Sequence, residues 1–326
     1  MLLDVKNPDT LHCRSKLSFA GAICELTTNS RILGEILSDS ADVLVEDSKP
    51  IFTMEIIVEE DQEILAGPPH FRGMHHLVIA AFGVANVFVF DLLRRHVRAR
   101  ITHSIANDRR FWQQKMLPIM TGVMGASIGV LPMHAACLAS EGSGLLIAGK
   151  SGAGKSTLSA ALAMNGFDFI SDDWTYLSRR QGRLSAYGTS APMKLLPDAH
   201  RHFELLSSEP LARSMSGELA YGVDARVVFG ATVARRCDPR WLVFLERFSG
   251  RGSEFVRLRK LDAQAYLESS VERLPAQLVE ARATRANIID VVSRLPSWTF
   301  RYGGSPQYAA LELRAFVETR RQESVA

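Results

Sequence analysis

The sequence predicts a mixed α/β (α+β) protein: a β-rich N-terminal domain, residues 1–115, and a second domain, residues 116–326, in which strands and helices alternate. In the first domain, short runs rich in β-branched and aromatic residues are bounded by Gly, Pro or polar residues, which is typical of strands. In the second, apolar runs of strand length alternate with helix-length segments. With 326 residues, 47% of them hydrophobic and 22% charged, the chain can bury a sizeable core, which excludes global disorder.

Charge and cysteine usage exclude several classes of function. Lys and Arg number 38 and Asp and Glu 35, and the resulting net charge of +3 is too small for a general polyanion binder, so no nucleic-acid partner is expected. The four cysteines form no CxxC pair, so neither a zinc site nor a disulfide framework is predicted. The N-terminal residues lack the basic start and apolar run of a secretory signal. We therefore expect a cytoplasmic protein.

In the N-terminal domain, residues 51–60, 75–82 and 86–93 are predicted strands. A basic cluster follows the third of them: Arg94, Arg95, Arg98 and Arg100. Such a cluster can contact an acidic partner, but in a nearly neutral chain it is more often the solvated face of a strand, and we favour that interpretation.

Residues 116–140 contain no Asp, Glu, Lys or Arg and are long enough to span a bilayer. Pro118, Pro132 and several glycines interrupt the stretch, and His134 lies near its end. We therefore predict a buried helix over residues 111–128 and a strand from residue 133 onward. No membrane partner is expected.

The middle of the chain predicts a hairpin at residues 134–149 with its turn at residues 141–144, then a helix that ends near Gly166, then a buried strand at residues 167–171. Further predictions are an inner strand at 241–248, helices at 262–274 and 276–295, an extended segment at 297–302, a final helix from Pro306, and a mobile loop at 207–221.

The segment GKSGAGKS fits the pattern G-x-x-x-x-G-K-[ST] at every fixed position. Its residues, with the threonine that follows, are Gly149, Lys150, Ser151, Gly152, Ala153, Gly154, Lys155, Ser156 and Thr157. Glycines let the backbone wrap closely around phosphate oxygens, Lys155 reaches the β- and γ-phosphates, and Ser156 offers a hydroxyl to Mg²⁺. An apolar strand before the motif and a helix after it are the required context. The motif predicts binding of ATP with Mg²⁺.

An aspartate pair, Asp172 and Asp173, ends the next predicted strand, 17 residues after Lys155. Phosphoryl transfer to a hydroxyl needs a carboxylate that holds the metal and another group that accepts the proton of the attacking alcohol. Adjacent strand residues point to opposite faces, so the two aspartates are expected to have different roles.

The runs HAACLA, LLIAGKSGAGKST and GFDFISDD resemble the HPr serine kinase/phosphorylase family and its related kinases. The core of that family is similar to ATP-dependent phosphoenolpyruvate carboxykinase, so the resemblance implies a P-loop, PEP carboxykinase-like kinase core. It covers about residues 131–178. It implies a serine kinase in which Lys155 and backbone amides bind the nucleotide phosphates. Asp172 is then the base, Asp173 works with Ser156 on Mg²⁺, and His134 lies beside the transferred phosphate.

The chain departs from the family at a second motif, E-[IV]-R-G-L-G. The corresponding residues, 184–199, contain no Glu and no Arg. Neither phosphorylase activity nor HPr as the substrate is therefore expected. The pattern is more similar to stand-alone kinase relatives, some of which phosphorylate a peptide serine in pathways such as lasso-peptide tailoring. Lys194 is a candidate to replace the missing arginine as a charge clamp on the transferred phosphoryl group.

Three functions remain open from sequence. The first is an ATP-dependent kinase acting on a serine or similar hydroxyl of a peptide or protein. The second is a kinase of small-molecule hydroxyls, although such chains usually begin near the P-loop and 148 residues precede it here. The third is an ATP-binding or ATPase switch protein that transfers no phosphate. A homo-oligomer is compatible with the family resemblance.

Overall fold

A computed structural model describes residues 13–42, 49–61, 69–189, 191–214, 217–271 and 273–325 of the chain. It has the mixed α/β content that the sequence predicts. The chain divides into two compact units: residues 1–131 with 273–285, and residues 132–272 with 286–326. The sequence places the boundary between residues 115 and 116, whereas by contacts the first unit also includes the helix that follows and a segment returning from late in the chain.

The first unit is built on a seven-stranded sheet in the order β1-β2-β3-β7-β6-β5-β4. Its strands are β1 (Cys13–Phe19), β2 (Ala22–Thr28), β3 (Phe52–Glu59), β4 (Pro69–Met74), β5 (Leu77–Phe82), β6 (Asn86–Asp91) and β7 (His96–Thr102). In β3 buried residues alternate with half-buried ones, so one face of the strand contributes to the core. The three strands predicted in this region are confirmed as β3, β5 and β6, whereas β1 and β2 were not predicted.

The described helices of this unit begin with α1 (Arg31–Ser40), α2 (His103–Asn107), α3 (Arg109–Phe111) and α4 (Leu117–Ile128). A π-helical turn, Trp112–Met116, joins α3 to α4 and buries Trp112. The buried helix predicted over residues 111–128 is therefore confirmed, with an unexpected π-helical first turn. No helix in the described parts of the chain combines the length and the apolar composition that a membrane crossing requires.

The basic cluster lies at the start of β7 and in the turn before it. Arg98 and Arg100 are exposed on β7 and pair with glutamates of β3: Arg98 lies 3.5 Å from Glu55, and Arg100 pairs with Glu59. The interpretation as a solvated strand face is therefore confirmed for Arg98 and Arg100, whereas Arg94 and Arg95 belong to the turn.

The second unit contains a nine-stranded sheet and a three-stranded sheet, the latter in the order β14-β16-β15. Its strands are β8 (Val130–Met133), β9 (Ala136–Ser140), β10 (Ser143–Ala148), β11 (Asp168–Ser171), β12 (Thr175–Arg180), β13 (Arg183–Tyr187), β14 (Met193–Leu195), β15 (Leu211–Arg213), β16 (Leu219–Val223), β17 (Arg236–Arg247), β18 (Gly252–Arg257) and β19 (Ser297–Gly303). The remaining described helices are α5 (Lys155–Met164), α6 (Ala225–Phe229), α7 (Lys260–Ser269), α8 (Val279–Ser293) and α9 (Pro306–Val325). The core of this unit contains buried side chains of β9, β10, β17, β19, α5 and α9.

Three predictions in this unit need correction. The predicted strand from residue 133 is two strands, β8 and β9, because the backbone bends at His134. The hairpin turn is two residues, Glu141 and Gly142, both with positive φ (49° and 75°), rather than four. The predicted mobile loop at 207–221 contains β15 and the start of β16, while residues 215 and 216 lie outside the described residues. The N-terminal segment used to exclude a secretory signal, residues 1–10, also lies outside them.

The directions of the strands place several strand ends at one edge of the large sheet. β9 is antiparallel to both β10 and β11, so β10 and β11 run parallel to each other. β17 is parallel to β10, and β19 is parallel to β17. The carboxyl ends of β10, β11, β17 and β19 therefore share one edge, and β9 begins there. We call this the carboxyl edge.

Candidate active site

The loop of the GKSGAGKS motif, residues 149–154, follows β10 at the carboxyl edge and leads into α5. Gly152 and Gly154 have φ of 79° and 92°, conformations that side chains disfavour. The N–H of Ala153 donates to the carbonyl of Lys150 at 3.1 Å, which closes a turn inside the loop. Gly154 caps α5 without a side-chain hydrogen bond. The first N–H groups of the helix therefore have no capping side chain and are available to an anion such as phosphate.

Lys155 begins α5 and folds back over this loop. Its Nζ donates hydrogen bonds to the carbonyl oxygens of Gly149 at 3.0 Å and Lys150 at 3.4 Å. Burial lowers the pKa of Lys155 below its usual value, while the charges of Asp173 and Asp172 act in the opposite direction. The ammonium group thus lies at the loop, close to two carboxylates. Ser156 and Thr157 occupy the first turn of the same helix.

Asp172 is the buried member of the aspartate pair, with 7% of its surface exposed. Its carboxylate accepts a hydrogen bond from the backbone N–H of Lys194 at 2.9 Å. The hydroxyl of Ser156 is placed to donate a second one. Burial raises the pKa of Asp172 to about 7, against the effect of these hydrogen bonds.

Asp173 is more accessible: 45% of its side chain is exposed. Its Oδ1 lies 2.8 Å from Nε2 of His134, which precedes β9. Burial alone would raise the pKa of Asp173, but the hydrogen bond from His134 and the charges of His134, Lys194 and Lys155 lower it below its usual value. Asp173 therefore stays ionised at neutral pH and is accessible to solvent.

The structure brings together the residues that the sequence predicted, but with a different pairing. Ser156 was expected to work with Asp173, whereas its hydroxyl lies next to Asp172. His134 was expected beside the transferred phosphate, and it contacts Asp173 at the same edge. Lys194 reaches the site through its backbone N–H, while its Nζ donates to Glu218 at 2.7 Å.

Two residues that the sequence analysis did not select, Arg247 and Tyr302, also lie at the loop. The guanidinium carbon of Arg247 is 5.5 Å from the centre of the Tyr302 ring. A Cβ on Gly154 would lie 2.8 Å from the Tyr302 hydroxyl and 3.6 Å from Cδ of Arg247. Both residues end strands that run parallel to β10. The rule that carboxyl ends of parallel strands share an edge could have identified them.

The chemistry of these groups fits a nucleotide with Mg²⁺. Magnesium takes oxygen ligands and usually binds proteins through one or two groups, with phosphate and water completing the shell. The Ser156 hydroxyl and the Asp172 carboxylate are such a pair, directly at the loop. Among the described residues no group of three or more His, Cys, Asp or Glu is arranged to hold a metal ion by itself.

No family model matches the chain, and no curated protein matches it. Among solved structures, the HPr(Ser) kinase/phosphatase from Coxiella burnetii is similar over 60% of this chain and 99% of that chain, with 14% sequence identity and a TM-score of 0.32. So low a TM-score does not establish a common fold. The function has to be argued from the site.

Proposed function

We propose that the protein is an ATP-dependent kinase that transfers the γ-phosphoryl group of ATP to a serine or similar hydroxyl of a peptide or protein. The main observation behind this proposal is that the two aspartates have different surroundings. Asp172 is buried beside Ser156 of α5, whereas Asp173 is accessible and hydrogen-bonded by His134. Asp173 is thus a second, ionised carboxylate that can accept a proton from an acceptor hydroxyl.

The surroundings of the two carboxylates favour the reverse of the roles that the resemblance implies. Asp172 and Ser156 would hold Mg²⁺, since their oxygens are adjacent. Asp173 would be the general base, because it is accessible and its lowered pKa keeps it ionised. When bound, Mg²⁺ supplies positive charge that neutralises the developing charge on the phosphate oxygens.

The reaction balances with these residues. Asp173 accepts the proton of the acceptor hydroxyl as the oxygen of that hydroxyl forms a bond to the γ-phosphorus. The bond between the γ-phosphorus and its bridging oxygen breaks, and ADP leaves. Lys155 and the N–H groups at the start of α5 stabilise negative charge on the phosphates. His134 orients the Asp173 carboxylate through its 2.8 Å hydrogen bond.

The choice of a peptide or protein acceptor rests on the sequence. The resemblance to stand-alone kinase relatives, and the 148 residues that precede the GKSGAGKS motif, favour a polypeptide over a small metabolite. ATP and Mg²⁺ are the proposed nucleotide and metal.

The experiment is phosphate transfer from γ-labelled ATP to a library of serine peptides, with wild type, Lys155→Ala, Asp172→Asn and Asp173→Asn. We expect label on peptide serine with wild type and none with Lys155→Ala. Asp173→Asn should lower kcat by about 10²- to 10⁴-fold, the usual effect of losing a general base, while ATP still binds. Asp172→Asn should raise the Mg²⁺ concentration needed for activity. Equal transfer by wild type and Lys155→Ala would overturn the proposal, as would transfer to small metabolites alone.

A further inference from the structure

The turn between β11 and β12 holds the bend between β8 and β9 through three consecutive residues. Asp173 accepts the hydrogen bond from His134. The Trp174 ring packs on the His134 ring, with centroids 5.5 Å apart and planes at 34°. Oγ1 of Thr175 donates to the carbonyl oxygen of Ala135 at 2.7 Å. Three neighbours in one segment thus contact two neighbours in a segment about 40 residues earlier.

Thr175 is at the centre of a buried hydrogen-bond chain. Its side chain is fully buried, and its Oγ1 lies 2.6 Å from Oγ of Ser171. Because a threonine hydroxyl carries one hydrogen, and Thr175 gives it to Ala135, the Ser171 hydroxyl must donate to Thr175. The direction of the chain is therefore fixed: Ser171 to Thr175 to the Ala135 carbonyl.

The carbonyl that Thr175 holds belongs to the bend that presents His134. The N–H of Ala135 donates to the carbonyl of Met133 at 2.8 Å, so the backbone closes tightly around His134. The direction of the His134 side chain follows from the orientation of this bend. An anchor on Ala135 consequently fixes where Nε2 of His134 meets Asp173.

We propose that Thr175 is a positioning residue for the phosphoryl transfer, acting through Ala135 and His134 on the Asp173 carboxylate. This inference rests on the proposed function. Thr175 touches neither nucleotide nor acceptor; it holds the hydrogen-bonded pair in place before either substrate binds. Displacement of a reacting group by about 1 Å can cost about 10²-fold in rate, so loss of this anchor should appear in kcat.

The test compares Thr175→Val, which keeps the shape of the side chain but removes the hydroxyl, with Thr175→Ser, which restores it. Ser178→Ala is the matched control, because Ser178 lies on the same strand, is 1% exposed, and has a hydroxyl without a hydrogen-bond partner in the structure. With γ-labelled ATP and a serine peptide that wild type phosphorylates, we expect Thr175→Val to lower kcat by 10- to 100-fold with KM for ATP within twofold. Thr175→Ser should recover most of the rate, and Ser178→Ala should match wild type.

A double-mutant cycle with His134→Ala separates positioning from general support of the fold. If Thr175 acts through His134, Thr175→Val should change the residual rate of His134→Ala by less than twofold. Full, multiplicative loss in that background would overturn the inference, as would an unchanged kcat in the single variant. If Thr175→Val does not fold, Ser171→Ala replaces it, with an expected threefold fall in kcat that is again absent in the His134→Ala background. No transfer by wild type to any peptide would instead refute the proposed function.

Discussion

Two neighbouring carboxylates with opposite pKa shifts are the chemical centre of this site. Asp172 has lost most of its water and gains hydrogen bonds from Lys194 and Ser156 that only partly offset that loss. Asp173 keeps access to solvent and gains a strong partner in His134. Proton affinity is therefore high at the buried residue and low at the accessible one. The buried residue can exchange its proton for a metal ion. The accessible one is ionised and within reach of an acceptor hydroxyl, so it can accept the proton of that hydroxyl.

The raised pKa of Asp172 predicts a pH-dependent loss of stability. Its pKa in the folded protein is about 7, above the usual 3.8, so the folded state binds this proton more tightly than the unfolded state. The stabilisation is fully present below about pH 4 and is lost as the pH rises through about 7. From pH 5 to pH 8, in EDTA without nucleotide, the free energy of unfolding of wild type should fall by about 2.5 kcal/mol more than that of Asp172→Asn.

Urea unfolding followed by tryptophan fluorescence at both pH values measures this difference. Asp173→Asn should keep most of this pH dependence, since the titration of Asp173 falls below this pH range and burial, more than the charge of Asp173, raises the pKa of Asp172. Asp172→Asn should thus be more stable than wild type at pH 8, although it needs a higher Mg²⁺ concentration for transfer. Parallel pH profiles for wild type and Asp172→Asn would contradict the prediction.

We expect Arg247 to be a second cation, besides Lys155, that contacts the bound nucleotide. Its Cδ lies at the loop beside Gly154, and among the described residues it has no acidic partner within ion-pair distance. Arg301, by contrast, pairs with Glu246 at 2.9 Å and Glu254 at 3.1 Å. Arg247→Ala should weaken ATP binding by about 10-fold, the scale of one charge-assisted hydrogen bond, and Arg301→Ala should not. Titration with a fluorescent ATP analogue measures the affinities of both variants. Equal affinities would show that Arg247 does not contact the nucleotide.

At the scale of elements, the sequence predicted those parts of the site whose structure depends only on residues close together in the chain. The hairpin of β9 and β10, the helix α5 and the strand β11 follow from turn residues, helix formers and an apolar run. β12 and β13 were missed because polar and apolar residues mix in them without strict alternation. The different surroundings of the two aspartates also could not be predicted from the sequence. Their directions depend on the turn after β11, and that turn is held by residues 134–135, far away in the chain.

Gly188 allows the chain after β13 to pack closely against β11. Substitution of this glycine should therefore destabilise the packing of these two segments. A Cβ at this position would lie 1.8 Å from the carbonyl oxygen of Ile170, so no side chain fits without moving one backbone segment. Gly188→Ala should lower the free energy of unfolding by about 3 kcal/mol. It should also impair transfer, because Asp172 lies two residues after Ile170.

Gly222→Ala is the matched control for that variant, since nothing lies within 4 Å of a Cβ there. Its unfolding free energy should stay within about 0.5 kcal/mol of wild type. Chemical denaturation of the three proteins gives the comparison. If both glycine variants lost the same stability, loss of glycine flexibility, and not the close approach to Ile170, would be responsible.

At the scale of the molecule, each unit has a sheet and a core of its own. The core of the second unit joins residues as distant as Leu158 and Leu313, and all the site residues belong to that unit. The sequence predicted two parts, because composition changes near residue 116. It did not predict the return of residues 273–285 to the first unit, since contacts between distant segments leave no local pattern.

Because each unit has its own core, we expect two unfolding transitions. ATP should raise the temperature of only one of them. A ligand stabilises only what binds it, by about 2.7 kcal/mol at 100 times its Kd. Scanning calorimetry with Mg²⁺ and ATP should therefore raise one transition. Leu313→Ala, at a fully buried position of α9, should lower the same transition. Leu26→Ala, at a fully buried position of β2, should lower the other, each by about 2–5 kcal/mol. A single transition that ATP raises and both variants lower equally would show that the two units unfold as one.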